Sequence, residues 1–301
     1  MTSFSRKDWL LLALLTFFWG INWPIMKMTV QDFPPIAFRT LCIMGAVPVL
    51  WLAARWSRTS LKLSRDDLGT IFTLAIPNII VSNTFMIVGV KMLSSGRAAI
   101  LLYTMPIWAV LSGLIFFRDR ISWLGWLGIA FALSGALLLL SSEFANLRGQ
   151  PLGSVMTLIA AAAWGYGTVL MKRTKADIPT IAMTFWMLLM ASVCMGITSA
   201  LFEYQLWRMP TLKESAAIAY NSLIIFGFAQ VIWFSLARRL PPVASSLSLM
   251  MIPVLGVFSG AWWLNETPHW QDYVAMCLIL VAMSTVLLKP GKEASNSQSK
   301  N

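Results

Sequence analysis

Ten stretches of about twenty apolar residues follow one another along this chain, separated by short polar connections. A helix of about twenty residues crosses a hydrocarbon core about 30 Å thick, and it satisfies all of its own backbone hydrogen bonds there. The sequence is 58% hydrophobic and only 12% charged, whereas a soluble chain carries roughly a quarter charged residues. The pattern therefore predicts an all-α integral membrane protein. The ten predicted transmembrane helices are residues 9–28, 36–54, 68–88, 98–117, 123–142, 153–171, 180–202, 216–237, 244–263 and 270–288.

The basic residues predict how these helices are oriented. Sixteen lysines and arginines lie on the side of the N-terminus, six lie on the opposite side, and Arg39 lies within the second span. Cytoplasmic segments carry the excess of basic residues, so both termini are expected in the cytoplasm. Residues 1–8 form the predicted N-terminal tail, without a cleavage pattern, and residues 289–301 form a predicted disordered tail. The net charge of +11 thus anchors the chain in its partner, the lipid bilayer, and no nucleic acid is expected.

A fixed spacing relates the two halves of the chain. Residues 19–37 and 164–182 are identical at nine of nineteen positions, and both begin with Trp-Gly and carry Met-Lys seven positions further on. Chance predicts roughly one or two identities. A second match, at a spacing of 147, pairs Pro106 with Pro253. The chain therefore consists of two related units.

Each unit has five predicted helices, residues 9–142 in the first and residues 153–288 in the second. Because five is odd, the second unit begins at the opposite face of the membrane and is inverted. Inverted repeats are typical of transporters, which hold their substrate near the midplane and open to either side in turn. A duplication that serves stability alone is the alternative.

From Leu10 to Leu288, the chain resembles the drug/metabolite transporter superfamily, in its ten-helix EamA-like family. The resemblance rests on the doubled Trp-Gly, on the proline within the fourth helix of each half, and on the acidic residue that closes that helix. The family usually has glutamate in both halves; here the residues are Asp119 and Glu266. The resemblance implies a bacterial inner-membrane exporter of amino acids or related small metabolites, without a cofactor. A carrier or flippase of the same fold for drugs, nucleosides or lipid-linked substrates is the alternative.

The motifs of other functional classes do not occur in the sequence. An ATP-driven pump needs Gly-x4-Gly-Lys-Ser/Thr, and a hydrolase or metalloenzyme needs a cluster of nucleophilic or metal-binding residues. His269 is the single histidine, and Cys42, Cys194 and Cys277 stand apart in three different spans. We therefore expect no enzyme, no metal site and no disulfide, and we interpret the cysteines as packing residues. The oligomeric state, monomer or dimer, stays open.

Polar and aromatic side chains within the predicted spans are the candidates for a substrate cavity, because burying polar groups in lipid costs free energy. Amides hold ammonium or carboxylate groups, and flat rings pack on a substrate or cation. Hydrogen bonding between helices is the alternative role of the amides. The candidate cavity residues are Trp19, Asn22, Trp23, Asn78, Asn83, Tyr103, Trp164, Tyr166, Gln230, Trp233, Ser245 and Ser248.

Prolines and one arginine add further candidates. Pro77, Pro106 and Pro253 each remove a backbone hydrogen bond and predict kinks, either static or bending as the halves rock. Arg39 allows two interpretations, because its long side chain either extends to the membrane surface or captures a substrate carboxylate.

The acidic residues bear on energy coupling. All twelve fall at predicted span ends or in connections, whereas proton-driven carriers usually place a carboxylate in mid-membrane, where its pKa rises into the working range. The sequence therefore predicts either facilitated diffusion or coupling through another group.

Overall fold

The computed structural model describes residues 6–145, 149–174, 176–239 and 242–287, and their side chains except at residues 6–8, 66, 237–239, 242–249 and 286–287. Within this part the prediction of an all-α fold is confirmed, because the chain forms ten helical spans that we number α1 to α10. The undivided spans are α1 (Arg6–Asp32), α2 (Pro35–Trp56), α5 (Trp123–Ala145), α6 (Pro151–Arg173), α7 (Thr180–Phe202), α9 (Pro242–Leu264) and α10 (Trp270–Leu287). The divided spans are α3 (Arg65–Ala75, Ile76–Val81 and Ser82–Met92), α4 (Ser95–Leu102 and Met105–Phe117) and α8 (Leu212–Tyr220, Asn221–Ala229 and Gln230–Arg239).

The helices have the length and the apolar surface of membrane spans. Eight of them are long and apolar enough to cross a bilayer, and the described parts of α9 and α10 contain shorter apolar helices, Met250–Leu264 and Trp270–Thr285. Large apolar side chains such as Leu137, Val193 and Phe258 lie more than half exposed on the outside of the bundle. Such a surface is solvated by lipid.

Consecutive helices alternate in direction. We call the membrane face at which α1 begins face A, and the opposite face, at which α1 ends, face B. At face B the Lys27 ammonium near the end of α1 donates to the Lys91 carbonyl near the end of α3, at 2.8 Å. At face A Arg173, at the end of α6, forms an ion pair with Asp119, just after α4. Helices α1 and α6 thus run in opposite directions, as the inverted repeat predicts.

Equivalent helices pair across the two halves. Helix α2 packs along α7, and α5 packs along α10. Helix α1 packs on α9, and its counterpart α6 packs on α4. One pairing breaks the symmetry: α3 packs closely along α6, whereas α8 contacts α1 only sparsely. The two halves are therefore related in sequence and topology, but these two equivalent helix pairs do not pack equally closely.

The repeated glycines explain the repeated Trp-Gly. A Cβ atom on Gly20 would lie 2.5 Å from Leu255 Cβ in α9, and one on Gly165 would lie 2.8 Å from Trp108 Cβ in α4. Trp108 and Leu255 are 147 positions apart, so they are equivalent in the repeat. Glycine therefore allows the same close helix crossing in each half, which a side chain would prevent.

Two helices widen at equivalent places, which the sequence analysis did not predict. The π-helical segments are Ile76–Val81 in α3 and Asn221–Ala229 in α8. At each of them an asparagine side-chain amide donates to the carbonyl four residues earlier: Asn78 donates to Leu74 and Asn221 donates to Ala217, both at 3.0 Å.

The predicted proline positions behave differently from one another. Pro77 lies in the wide segment of α3. Helix α4 is interrupted at Tyr103 and Thr104, directly before Pro106, whereas α9 runs through Pro253 as one helix. The structure therefore interrupts only the first of the two equivalent helices.

Candidate functional site

A small cavity of about 40 Å³ lies in the middle of the bundle. Its residues come from α1, α2, α3, α4, α6 and α8, so both halves contribute. The volume holds roughly two or three waters. The lining residues are Trp19, Asn22, Trp23, Met26, Arg39, Asn83, Met86, Leu102, Tyr103, Trp164, Ile225, Phe226 and Gln230.

Equivalent tryptophans of the two halves meet at this cavity. The Trp19 and Trp164 rings pack edge to face with their centroids 5.9 Å apart, and Trp233 lies 5.9 Å from Trp19. All three indoles are largely buried. The pseudo-twofold axis that relates the halves therefore passes close to the cavity wall.

Arg39 is a buried cation in this wall. Its side chain is 1% exposed, so the interpretation that it extends to the membrane surface is wrong: it lies on the side of α2 that faces the bundle. Nη1 donates to Asn221 Oδ1 at 3.3 Å, Nη2 contacts the Met26 sulfur, and the guanidinium carbon lies 5.3 Å from the centre of the Phe226 ring. Within the described side chains no carboxylate pairs with Arg39. The cavity wall therefore carries an uncompensated positive charge.

Unpaired polar atoms concentrate around the same cavity. In the described part of the chain five buried side-chain atoms lack a hydrogen-bond partner, and four of them belong to the lining: Asn22 Oδ1, Arg39 Nε, Trp164 Nε1 and Gln230 Nε2. Leaving such a group unsatisfied costs about 1–3 kcal/mol. Three donors and one acceptor of the lining residues are therefore left for a polar ligand to satisfy.

Most of the predicted cavity residues lie together. Seven of the twelve line the cavity, and the predicted carboxylate-binding Arg39 joins them. The seven are Trp19, Asn22, Trp23, Asn83, Tyr103, Trp164 and Gln230.

The other five candidates lie elsewhere. Asn78 packs against Gly167 at the contact of α3 with α6, Tyr166 packs on Phe116 with ring centroids 5.0 Å apart, and Trp233 reaches the site only through Trp19. The Ser245 and Ser248 side chains lie outside the described residues.

Several lining residues were missed because they are apolar. They are Met26, Met86, Leu102, Ile225 and Phe226. Helical spacing offered a signal for one of them, because Met26 follows Trp19, Asn22 and Trp23 on one face of α1. Nothing in the sequence distinguished the others from core packing.

At face B, polar contacts close the bundle above the cavity. The Glu266 carboxylate, just after α9, accepts hydrogen bonds from the Ser95 backbone N–H and hydroxyl, both at 2.8 Å, at the start of α4. Negative charge at a helix start is stabilised by the helix dipole and by free N–H groups. This contact holds the second half against the first.

A buried ion cluster lies beside that contact. Arg97 Nε donates to Asp272 Oδ1 at 2.8 Å, and Nη1 pairs with Glu143. All three side chains are more than nine-tenths buried. At face A, by contrast, the Asp119–Arg173 pair is nearly half exposed, so water screens it more.

Comparisons with known proteins agree with this architecture. The model of the EamA-like transporter family matches the chain twice, at residues 7–141 and 151–288. The uncharacterized transporter YoaV of Bacillus subtilis is 28% identical over 254 residues, which cover 84% of this chain and 87% of that protein. The uncharacterized inner membrane transporter YedA of Escherichia coli is 26% identical, with 92% and 89% covered.

Two further similarities extend the comparison. A protein of Escherichia coli named a probable amino-acid metabolite efflux pump is 23% identical, and 93% of this chain and 94% of that protein are covered. A solved crystal structure shares the fold with a TM-score of 0.67 at 19% identity, and 94% of this chain and 98% of that chain are covered. Its sequence similarity supports the fold alone. The double match over both halves, joined to ten apolar helices in two inverted units, shows that the chain is a multi-pass membrane transporter and belongs to the EamA-like transporter family.

Proposed function

We propose that the protein exports amino acids or related small carboxylate-bearing metabolites across the bacterial inner membrane by alternating access. The observation that carries this proposal is Arg39, which is buried in the cavity wall without a carboxylate partner among the described side chains. An unpaired buried charge costs several kcal/mol. A substrate carboxylate would compensate this charge. Binding would then relieve the desolvation penalty that Arg39 carries in the empty protein, and this relief would add to the affinity for the substrate.

The remaining lining suits the other end of an amino acid. Asn22 Oδ1 is an unused acceptor for an ammonium group, and the faces of Trp19 and Trp164 attract cations. Gln230 Nε2 is a further unused donor for the carboxylate. Apolar lining residues such as Met86 adapt to side chains of different shape, which suits a carrier that accepts several metabolites.

Three observations support export by alternating access. The halves are inverted repeats, the Glu266 contact closes the two halves together at face B, and both halves contribute residues to the central cavity. The distribution of lysine and arginine favours face A as the cytoplasmic face. A relative named as an inner membrane transporter and another named as a probable amino-acid metabolite efflux pump support the membrane and the substrate class.

Counterflow in proteoliposomes tests this function. Vesicles loaded with a mixture of unlabelled amino acids take up labelled ones if the protein exchanges them. Arg39→Gln removes the charge and should abolish exchange, whereas Arg120→Gln, an exposed arginine at face A, should leave it unchanged. Amines made by removing the carboxylate from an accepted amino acid should not compete. Exchange of nucleosides or cationic drugs, with no exchange of any carboxylate, would contradict the proposal.

The lining also bears on energy coupling. It contains no carboxylate among the described side chains, and Glu143 and Asp272 are engaged with Arg97 near face B. We therefore expect exchange without a proton gradient. An imposed pH difference should change the initial uptake rate by less than about twofold, and an increase above about tenfold would overturn the uncoupled mechanism.

A further inference from the structure

A second, larger cavity of about 610 Å³ lies at face A, away from the central site. It is bounded by the end of α2, the connection between α2 and α3, the start of α3 and the first turns of α7. Trp51, Leu68 and Trp186 form its apolar walls, and Arg55 and Lys62 carry its positive charges. It is therefore an amphipathic groove at the level of one membrane surface.

The connection that forms one wall is held in place. The Trp186 indole N–H donates to the Leu61 carbonyl at 2.8 Å, which ties the connection to α7. At the start of α3 the Ser64 hydroxyl accepts from the Asp67 backbone N–H, and the Asp67 carboxylate accepts from the Ser64 backbone N–H. The groove is thus fixed at both of its ends.

No carboxylate among the described side chains neutralises the two cations of the groove. The Arg55 guanidinium carbon lies 5.3 Å from the centre of the Trp51 ring, and neither Arg55 nor Lys62 forms an ion pair with a described side chain. The lining includes no carboxylate among those side chains. The described side chains therefore leave the positive charge of the groove available to an anion.

The equivalent connection of the second half shows the opposite arrangement. There, between α7 and α8 at face B, Arg208 forms two hydrogen bonds to Glu214, at 2.5 and 2.8 Å. The small cavity beside it is lined by Asp32 and Glu214 as well as by Arg208 and Lys213. Because the second half pairs Arg208 with Glu214 at face B, an unpaired arginine in this connection is not a requirement of the fold.

The groove opens toward the lipid-facing surface of the bundle. Trp51 and Leu68 are 45% and 42% exposed, and the neighbouring Leu52 is 59% exposed. Indoles prefer the level of lipid headgroups, and basic pockets between helices bind anionic headgroups there. A soluble anion would gain nothing from the apolar walls, whereas a lipid would use both the walls and the charges.

We propose that this groove binds an anionic phospholipid of the leaflet at face A. Arg55 and Lys62 contact the headgroup phosphate, the Thr59 and Ser60 hydroxyls in the lining add donors, and Trp51 packs against the glycerol and the first part of an acyl chain. This site is independent of the transported substrate, because the central cavity shares no residue with it.

Native mass spectrometry of the purified full-length protein tests the proposal. The protein is titrated with phosphatidylglycerol and, separately, with phosphatidylcholine, and the bound lipids are counted. We expect one phosphatidylglycerol to bind saturably and phosphatidylcholine to bind more weakly. The double variant R55Q/K62Q should weaken that binding by about 30-fold, the factor that two cationic contacts of membrane-surface strength give.

Matched controls distinguish lipid binding at this groove from a general attraction of the lipid to positive charge. The double variant R118Q/R120Q removes two exposed arginines from the connection between α4 and α5 at the same face, and it should bind as the wild type does. Melting temperatures without lipid show whether each variant is folded. An equal loss in both double variants would overturn the site. Displacement of the lipid by millimolar inorganic phosphate, or equal binding of the two lipids, would overturn its assignment to a lipid headgroup.

Discussion

The substitution Arg39→Met separates the effect of Arg39 on protein stability from its role in binding substrate. Methionine carries no charge and has about the length of the arginine stem up to Nε, so it fills the space that the stem occupies. We expect Arg39→Met to lose exchange of carboxylate substrates and, at the same time, to make the empty protein more stable. Functional sites commonly carry such a cost in stability.

The magnitude follows from the contacts of Arg39. Its guanidinium has five N–H donors, yet its described partners are the Asn221 amide oxygen at 3.3 Å and the weakly accepting Met26 sulfur. Removing an uncompensated buried charge recovers several kcal/mol, whereas the freed Asn221 oxygen costs about 1–3 kcal/mol. Apolar replacement of buried charged groups is often neutral or stabilising by about 1–4 kcal/mol, and a gain in that range is expected here.

Scanning fluorimetry of the purified protein measures the first effect, and counterflow in proteoliposomes measures the second. Arg39→Lys is the matched variant: it keeps the charge, so it should keep the low stability, but it lacks the planar fork that holds a carboxylate. A melting temperature of Arg39→Met well below that of the wild type would refute the reasoning, because it would show that Arg39 stabilises the empty bundle.

Two paired substitutions test the packing and the closure at face B. Gly165→Ala places a Cβ 2.5 Å from the Met105 carbonyl oxygen and should lower the free energy of unfolding by about 1–3 kcal/mol. Gly69→Ala, with open space around it, should be neutral or stabilise the protein by up to about 1 kcal/mol. Equal effects of the two variants in scanning fluorimetry would contradict the close helix crossing. Glu266→Gln removes charge-assisted hydrogen bonds and should cost about 1.5–3 kcal/mol, whereas Asp119→Asn at the equivalent but exposed pair should cost less than about 1 kcal/mol. A larger loss of melting temperature in Asp119→Asn than in Glu266→Gln would contradict closure at face B.

The architecture was predictable because it rests on periodic signals. Lipid imposes helices of about twenty apolar residues, and two copies of five helices must be inverted. The repeat singled out Gly20 and Gly165, and the structure shows why they recur, since a side chain at either position would collide with a neighbouring helix. Trp19 and Asn22 were both predicted as cavity residues from their residue types, and their spacing of three places them on one face of α1.

The details of the site were less predictable because they depend on contacts between distant elements. Arg39 is buried against the wide segment of α8, which supplies Asn221 and Phe226 as its neighbours, and no local sequence pattern predicted that segment. Asn78 had the same sequence features as the lining amides, yet it satisfies a carbonyl of its own helix and faces Gly167. An amide in a span indicates burial, and only its neighbours decide between a ligand and a helix contact.

The fold is symmetric between the two halves, whereas the charge of the site comes from one half only, and the two features have different consequences for transport. Trp19 and Trp164 meet as equivalents, and Asn83 and Gln230 are equivalent positions that both line the cavity. The position equivalent to Arg39, however, is occupied by Thr184, which is fully buried and bonds to Thr180 of its own helix. Because only one half supplies the charge, a carboxylate would have one place to bind in either state of the halves. The substrate would therefore keep its orientation while the symmetric scaffold moves around it, so that rocking of the halves needs no rearrangement of the charge contact.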